Sequence, residues 1–344
     1  MDEKLQLIRR IAPDLTEEII KRYRVLKTVR LLQPCGRRMV VLSLGMTERT
    51  VRSEIERFSV QKLVQVSKTG MTVTEEGIEV LDGLEALFTK LTGLSLLEDK
   101  MARILGVKKV FIAQGDADEN ERTRKEMGQL AARVLMERTN ENSRIAITGG
   151  TSMQDLVMAA AESNKKMAKM VLPARGSIGR KMELQADTLA ASLAKKLQAE
   201  YRLLHLPDNL SEAALAEMKK QPEIYDTILE MEQVNILLLG VGNALEMADK
   251  RRLEPSVQEY LKQEGAVAEA CGYYFNRQGR VIYETHSIAI DFKEVPQMEE
   301  VIVVAGGSRK AESILAVGNS VPSGVFVIDE GVALNILELA KSND

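Results

Sequence analysis

Histidine and cysteine are scarce in this chain, and no apolar stretch is long. Two histidines, His205 and His286, among 344 residues leave little for acid–base or metal chemistry. Cys35 and Cys271 stand far apart in sequence. They offer neither a metal-ligand spacing nor a disulfide framework, and they suit a reducing cytoplasm. No apolar run approaches the roughly 18 residues that a membrane span needs. The opening MDEKLQLIRR mixes acids and bases without an apolar core, unlike a secretory leader. Neither a GxGxxG fingerprint nor a Walker loop occurs, which argues against NAD and ATP. A cytoplasmic protein is expected, with no cofactor and no membrane partner.

What is present is the composition of a globular protein, 45% hydrophobic and 28% charged, at a length that suits two domains. The net charge of −3 hides a polarised distribution. Lys21 to Gly70 carries 12 Lys/Arg against 3 Asp/Glu, a net of +9, while the rest carries 35 against 47, a net of −12. A cationic segment on an anionic protein points to a polyanionic partner, because neutralising phosphates releases their counterions. A solvated helical surface would carry the same charge, so the motifs must decide.

Three helices are expected in quick succession. The first runs from about Thr16 to Leu32, capped by Thr16, with Ile19, Tyr23, Leu26, Val29 and Leu32 at helical spacing. Pro34 and Gly36 stop it. A short second helix, Arg38 to Leu44, ends at Gly45, and Thr47 caps a third from Glu48 to about Gln61 whose apolar positions are Val51, Ile55 and Phe58. The stretch VVLSLGMTERTVRSEI has the helix-turn-helix pattern, with Gly45 as the tight turn. Arg49, Thr50, Arg52 and Ser53 fall near the start of the recognition helix, where side chains reach base edges, and Arg37, Arg38 and Thr47 complete the DNA-facing set. Leu63–Val66, the tip SKTG and Met71–Val73 read as a hairpin wing that sets Lys68 against a groove or a phosphate. A further helix to about Thr92 carries the stripe Ile78, Leu81, Leu84, Phe88 and Leu91, which packs on its own domain or on a second subunit. Double-stranded DNA is the expected partner, read by a homo-oligomer, dimer or tetramer. The domains are placed at 1–93 and 94–344.

From about residue 94, short apolar runs ending in Gly-rich turns alternate with helix-length segments, the texture of a doubly wound, Rossmann-like α/β sheet. Strands are expected at Lys109–Ala113, Arg144–Thr148, Met170–Pro173, Tyr201–Leu206, Val234–Leu239, Val301–Ala305 and Gly324–Ile328, with a hairpin over Gly272–Tyr283. Three strand ends lead into anion cradles. Gly149-Gly150-Thr151-Ser152 enters a helix with close backbone, free N–H groups and two hydroxyls, and GVGN (240–243) and GGSRK (306–310) repeat the theme. With Arg175, Arg251 and Lys310 near such turns, the crevice at the strand ends is read as a sugar-phosphate site.

The stretches PCGRRMVVLSLGMTERTVRSEIE, ITGGTS, LPARGSIG, YRLLHLP, ACGYYFNRQG and VAGGSRKAESI resemble the SorC family of bacterial sugar-binding regulators over most of the chain, and within it a branch that controls glycolytic genes. The resemblance implies a winged helix-turn-helix joined to an effector domain like those of sugar-phosphate isomerases and deaminases. It also implies a repressor whose cooperative operator binding is relieved by fructose 1,6-bisphosphate. Matched by motif, Gly150, Thr151 and Ser152 form the first phosphate loop. Arg175 and Gln185 stand around the sugar, and Arg251 (or Lys250), Glu269 and Lys310 supply the other contacts. The first loop reads Gly-Gly-Thr-Ser where the family pattern has Thr-Thr, a change that keeps the hydroxyl. Gln185 reads equally as an exposed helix residue, and Glu269 as a partner of Arg251.

An enzyme on the same sheet would need a poised acid or base. His205, ending an apolar strand, reads as a buried structural residue, and His286 as a core or rim residue. Asp116 and Asp118 in QGDAD read as turn acids or as holders of a ring or metal. No catalytic order emerges, and a fused DNA reader has no use in an enzyme. A regulator that senses another phosphorylated sugar would look the same.

Overall fold

The computed structural model describes residues 7–8, 10–176, 181–207 and 210–341. Within LPARGSIG, therefore, Ser177, Ile178 and Gly179 lie outside the described residues. The chain divides into two compact units, Met1–Lys100 and Met101–Asp344, with the division inside the helix Leu94–Leu105.

In the first unit, three helices, Pro13–Leu32, Arg37–Leu44 and Glu48–Val60, precede the antiparallel pair β1 (Val64–Ser67) and β2 (Gly70–Val73). The helix Glu75–Thr92 follows, capped by Thr74, whose Oγ1 accepts from Gly77 N at 3.1 Å. Gly45 takes the left-handed conformation (φ 63°) that a tight turn between two helices needs. Val40, Val51, Ile55 and Phe58 are buried together with Tyr23, Leu26 and Val29. Burying each such side chain contributes about 1.5–3 kcal/mol. Phe88 stacks on Tyr23 with ring centroids 4.2 Å apart, and Leu81 is buried in the same core. The stripe of the helix Glu75–Thr92 therefore packs on its own unit.

Two expectations fail in the first helix. It starts at Pro13, where a missing N–H costs nothing, so Thr16 is no cap; its hydroxyl donates back to Ala12 O at 3.1 Å. Ile19 is 45% exposed, because the buried face runs through Tyr23, Val25 and Leu26 instead.

The second unit is built on a parallel sheet of seven strands in the order β3-β13-β12-β7-β4-β5-β6. These are Lys109–Ala113 (β3), Arg144–Ile147 (β4), Met170–Pro173 (β5), Glu200–Tyr201 (β6), Ile236–Gly240 (β7), Glu300–Val304 (β12) and Val325–Asp329 (β13). β5, β7, β12 and β13 read as continuous apolar runs because helices cover both faces of the sheet. The expected strand Tyr201–Leu206 shrinks to two residues: His205 has φ 50°, which ends the extended course, and it is exposed rather than buried.

A second sheet, not foreseen as such, carries β8 (Gly242–Asn243), β9 (Ala266–Ala270), β10 (Tyr273–Asn276) and β11 (Val281–Glu284) in the antiparallel order β11-β10-β9-β8. The expected hairpin is its β10–β11 edge. Among the described residues no helix is long and apolar enough to cross a membrane.

Candidate effector cavity and nucleic-acid interface

The recognition helix Glu48–Val60 turns Val51, Ile55 and Phe58 into the core, which leaves Arg49, Arg52 and Ser53 exposed and Thr50 half-buried. Thr47 caps it: Thr50 N donates to Thr47 Oγ1 at 3.2 Å, and the two hydroxyls lie 2.8 Å apart. Arg52 is already occupied, its Nε donating to Glu56 Oε1 at 2.8 Å, so contact with DNA requires an exchange of partners. Arg37 and Arg38 are exposed at the start of their helix, where the dipole disfavours a cation unless an anion is near. Lys68 is exposed at the wing tip, with Ser67 paired to Gly70 across the two-residue turn.

One residue of this unit went unnoticed in the sequence. Glu54, 3% exposed, brings its carboxylate to 3.4 Å from Lys21, 3.4 Å from Arg22 and 3.7 Å from Arg57, and so ties the recognition helix to the first helix. Its signal was the position, an acid within the buried stripe 51–54–55–58 of a cationic segment.

The chain runs outward through β4, β5 and β6, then returns to the other side of β4 as β7. At that reversal the loops after β4 and β7 part and leave a crevice at the carboxyl ends of the strands. It holds a cavity of about 400 Å³ lined by Gly149, Gly150, Thr151, Ser152, Arg175, Arg251, Glu269 and Lys310. These eight expected residues, spread over more than 160 positions, meet at one place. Gln185 does not line the cavity; it is half-buried and precedes the helix Ala186–Leu197, while its neighbours Leu184 and Ala186 form the wall.

Glycine is required in the first cradle. Gly150 has φ 113°, and a Cβ on Gly149 would lie 2.6 Å from Leu184 O. The helix Thr151–Ala159 begins there with no side-chain cap and no acid in its first turn, so its amino end faces the cavity. Thr148 Oγ1 accepts from Gly240 N at 3.0 Å and joins β4 to β7 at the crevice floor.

The opposite wall is ionic. Arg175 and Arg251, 2% and 8% exposed, share one carboxylate oxygen: Glu269 Oε1 lies 3.3 Å from Arg175 Nη1 and 2.5 Å from Arg251 Nη2. Gly272 N donates to the same oxygen at 2.6 Å. Glu269 is thus the partner of Arg251, and a member of the cavity wall as well. Lys310 sits half-buried just before the helix Ala311–Gly318, and burial pushes its ammonium down from the usual lysine range. Lys250, the alternative to Arg251, is exposed at the rim, and Lys181 joins it. Among the described residues of the lining, five cations against one carboxylate leave an excess of four positive charges. Cys271, also in the wall, has its thiol pushed up to about 11 by burial.

Asp116 and Asp118 buttress the neighbouring loop rather than enter the cavity. Asp118 pairs with Arg309 at 3.1 Å, and that hydrogen bond holds the carboxyl below its usual range. Asp116 Oδ1 accepts from Ser308 N at 3.3 Å, and the buried Asp329 accepts from Gly307 N and Ala117 N, each at 2.7 Å. Neither His205 nor His286 lines the cavity, and both are exposed. Lys181, Met247 and Cys271 were missed in the sequence; a lone lysine, methionine or cysteine outside a glycine-rich turn carries no signal of its own.

A winged helix-turn-helix and a parallel sheet with a cationic crevice at its switch point together define a ligand-responsive transcriptional regulator. Residues 89–338 match the family described as "Putative sugar-binding domain", and residues 19–88 match the "CggR N-terminal DNA binding domain". The chain belongs to the SorC family of sugar-binding transcriptional regulators, in its central glycolytic genes regulator branch. It is 34% identical over 337 residues to the central glycolytic genes regulator of Bacillus subtilis (strain 168), covering 98% of this chain and 99% of that one. Identity to the regulator of the same name from Priestia megaterium is likewise 34%, over 98% of this chain and 99% of that one. A SorC-family transcriptional regulator from Enterococcus faecalis superposes with a TM-score of 0.66 at 28% identity, over 70% of this chain and 99% of that one. The full-length sorbitol operon regulator SorC from Klebsiella pneumoniae, 17% identical, shares the fold with a TM-score of 0.66 over 89% of this chain and 94% of that one.

Proposed function

We propose that this chain represses glycolytic genes in the cytoplasm as a homo-oligomer, that fructose 1,6-bisphosphate in the 400 Å³ cavity relieves its cooperative operator binding, and that it is not an enzyme. The observation that carries this reading is the excess of four positive charges on the lining, beside an uncapped helix amino end. A bisphosphate brings up to about four negative charges, and each contact with Arg or Lys is worth roughly 1.5–3 kcal/mol. One phosphate would need fewer cations. Glu269 accepts hydrogen bonds only and suits sugar hydroxyls. Neither histidine lines the cavity, and Glu269, the one carboxylate among the described lining residues, is already paired with Arg175 and Arg251, which supports binding without turnover. The names of the two glycolytic regulators that it resembles point to the same genes.

The test is thermal melting of the purified chain against a panel of sugar phosphates at matched ionic strength. A dominant shift with fructose 1,6-bisphosphate supports the reading. A larger shift with another phosphosugar replaces the effector and keeps the regulator; no shift with any member removes the cavity as the effector site.

A further inference from the structure

Between β9 and β10 the turn Cys271–Gly272 has both residues in the left-handed region, φ 49° and 91°, with Ala270 and Tyr273 paired across its base. This is the two-residue hairpin geometry of type I′, in which a cysteine at the first position is strained. Strain of this kind persists where the surroundings hold it in place. Here the surroundings are the head group of Arg175. A Cβ on Gly272 would lie 2.3 Å from Arg175 Nη1 and 2.7 Å from Cζ and Nη2, so only a glycine admits the guanidinium. Gly272 N donates to Glu269 Oε1, the oxygen that Arg175 Nη1 also reaches. Thr285 adds a second fixed point: its Oγ1 accepts from Arg175 Nη2 at 2.9 Å, while its own N–H is anchored on Gly272 O at 3.0 Å. Arg175 follows β5 of the parallel sheet, whereas Gly272 turns β9 into β10 and Thr285 follows β11 of the antiparallel one. Neither of these two is among the cavity's lining residues.

We propose that Gly272 and Thr285 are positioning residues that form a socket for Arg175 and hold its guanidinium at the cavity wall before an anion arrives. The proposal rests on the reading of the cavity as an anion site. An arginine free to change rotamer would lose that freedom on binding and weaken the complex; a head group fixed in advance does not. The fork of a guanidinium spans the two acceptors, Glu269 and Thr285, which the single ammonium of a lysine does not.

The experiment is a double-mutant cycle on the full chain, titrated with fructose 1,6-bisphosphate and, separately, with inorganic phosphate. Thr285→Val, which keeps the shape and removes the acceptor, should weaken fructose 1,6-bisphosphate about tenfold, and Thr285→Ser should restore it. In an Arg175→Met background, Thr285→Val should change nothing further. An equal loss with and without Arg175 would overturn the socket. If the parent chain binds neither probe, the effector reading fails by itself. The socket is then judged from the ligand-free melt: Thr285→Val should lower it by about 2–4 °C when Arg175 is present and leave it unchanged in Arg175→Met. Equal falls in both backgrounds again sink the proposal.

Discussion

Replacing Lys310 with alanine should remove most of the stabilisation by ligand while leaving the ligand-free melt no lower than the parent's. Without ligand, burial holds the ammonium below the ordinary value of 10.5, outweighing the attraction of Asp118 and Glu246, while Lys250 and Arg309 add a smaller repulsion. A lysine whose folded pKa is depressed destabilises the fold fully below that folded pKa, and the effect fades as pH rises through it and is gone above 10.5. Any gain from Lys310→Ala in the ligand-free state should therefore shrink as the pH approaches 10.5. With a sugar bisphosphate the sign reverses. Losing one charge-assisted contact of roughly 1.5–3 kcal/mol weakens binding about 10- to 150-fold. At a ligand concentration of about 100 times the parent's Kd, the parent gains roughly 2.7 kcal/mol, whereas a variant bound about 30 times more weakly gains roughly 0.9. For a domain of this size those gains correspond to about 5–11 °C and about 2–3 °C. Differential scanning fluorimetry with and without fructose 1,6-bisphosphate separates the two. A variant that keeps the full shift would show that Lys310 does not touch the ligand, and the ionic wall would have to be redrawn around Arg175 and Arg251.

Arg49→Ala should weaken operator binding far more than binding to random duplex in gel-shift titrations at fixed salt, and equal losses would remove Arg49 as a base reader. The Cys271 thiol, at about 11 against an ordinary 9.0, carries roughly 100-fold less thiolate at pH 8 than an unperturbed cysteine. Iodoacetamide should therefore label it at least that much more slowly than a free thiol, and labelling at the free-thiol rate would show the turn to be open in solution. Tyr274 is fully buried, and its hydroxyl has no hydrogen-bond partner among the described residues. Tyr274→Phe should accordingly raise the melting temperature slightly, by removing a polar group whose burial costs about 1–3 kcal/mol; a clear fall would reveal a bound water that the hydroxyl needs.

The sequence made the parallel sheet and the winged helix legible because both rest on strong local signals. Apolar runs such as Ile236–Leu239 and Val301–Val304, each followed by glycines, mark strands entering cradles, and Gly45 with Thr47 punctuates the helix-turn-helix. The second sheet was harder to see. β8 has two residues and β9, AVAEA, lacks the β-branched density of a strand; it is held by pairing with β10, which is a long-range fact. The same division applies to the cavity. Loops with glycine and a cation could be found one by one, but the sharing of one Glu269 oxygen by two arginines joins positions 94 and 18 residues apart. Gln185 shows the opposite error: its place beside the wall is right in sequence, yet the backbone turns at that residue and sets Leu184 and Ala186 against the cavity instead.

β13, Val325–Asp329, is the last strand in the chain, yet it lies between β3 and β12 in the interior of the sheet. Asp329 at its end holds the amides of Ala117 and Gly307, one from the start of the unit and one from the loop that carries Lys310. Synthesis therefore delivers the wedge that closes the sheet only after both of its neighbours, β3 and β12, have been made. A message cut short before Asp329, or a proteolytic nick that releases the final strand, would leave the DNA reader intact in sequence but without a finished sensor. Such a product would keep the DNA-binding segment and lack a closed sugar-binding sheet, a split that the order of strands alone makes available.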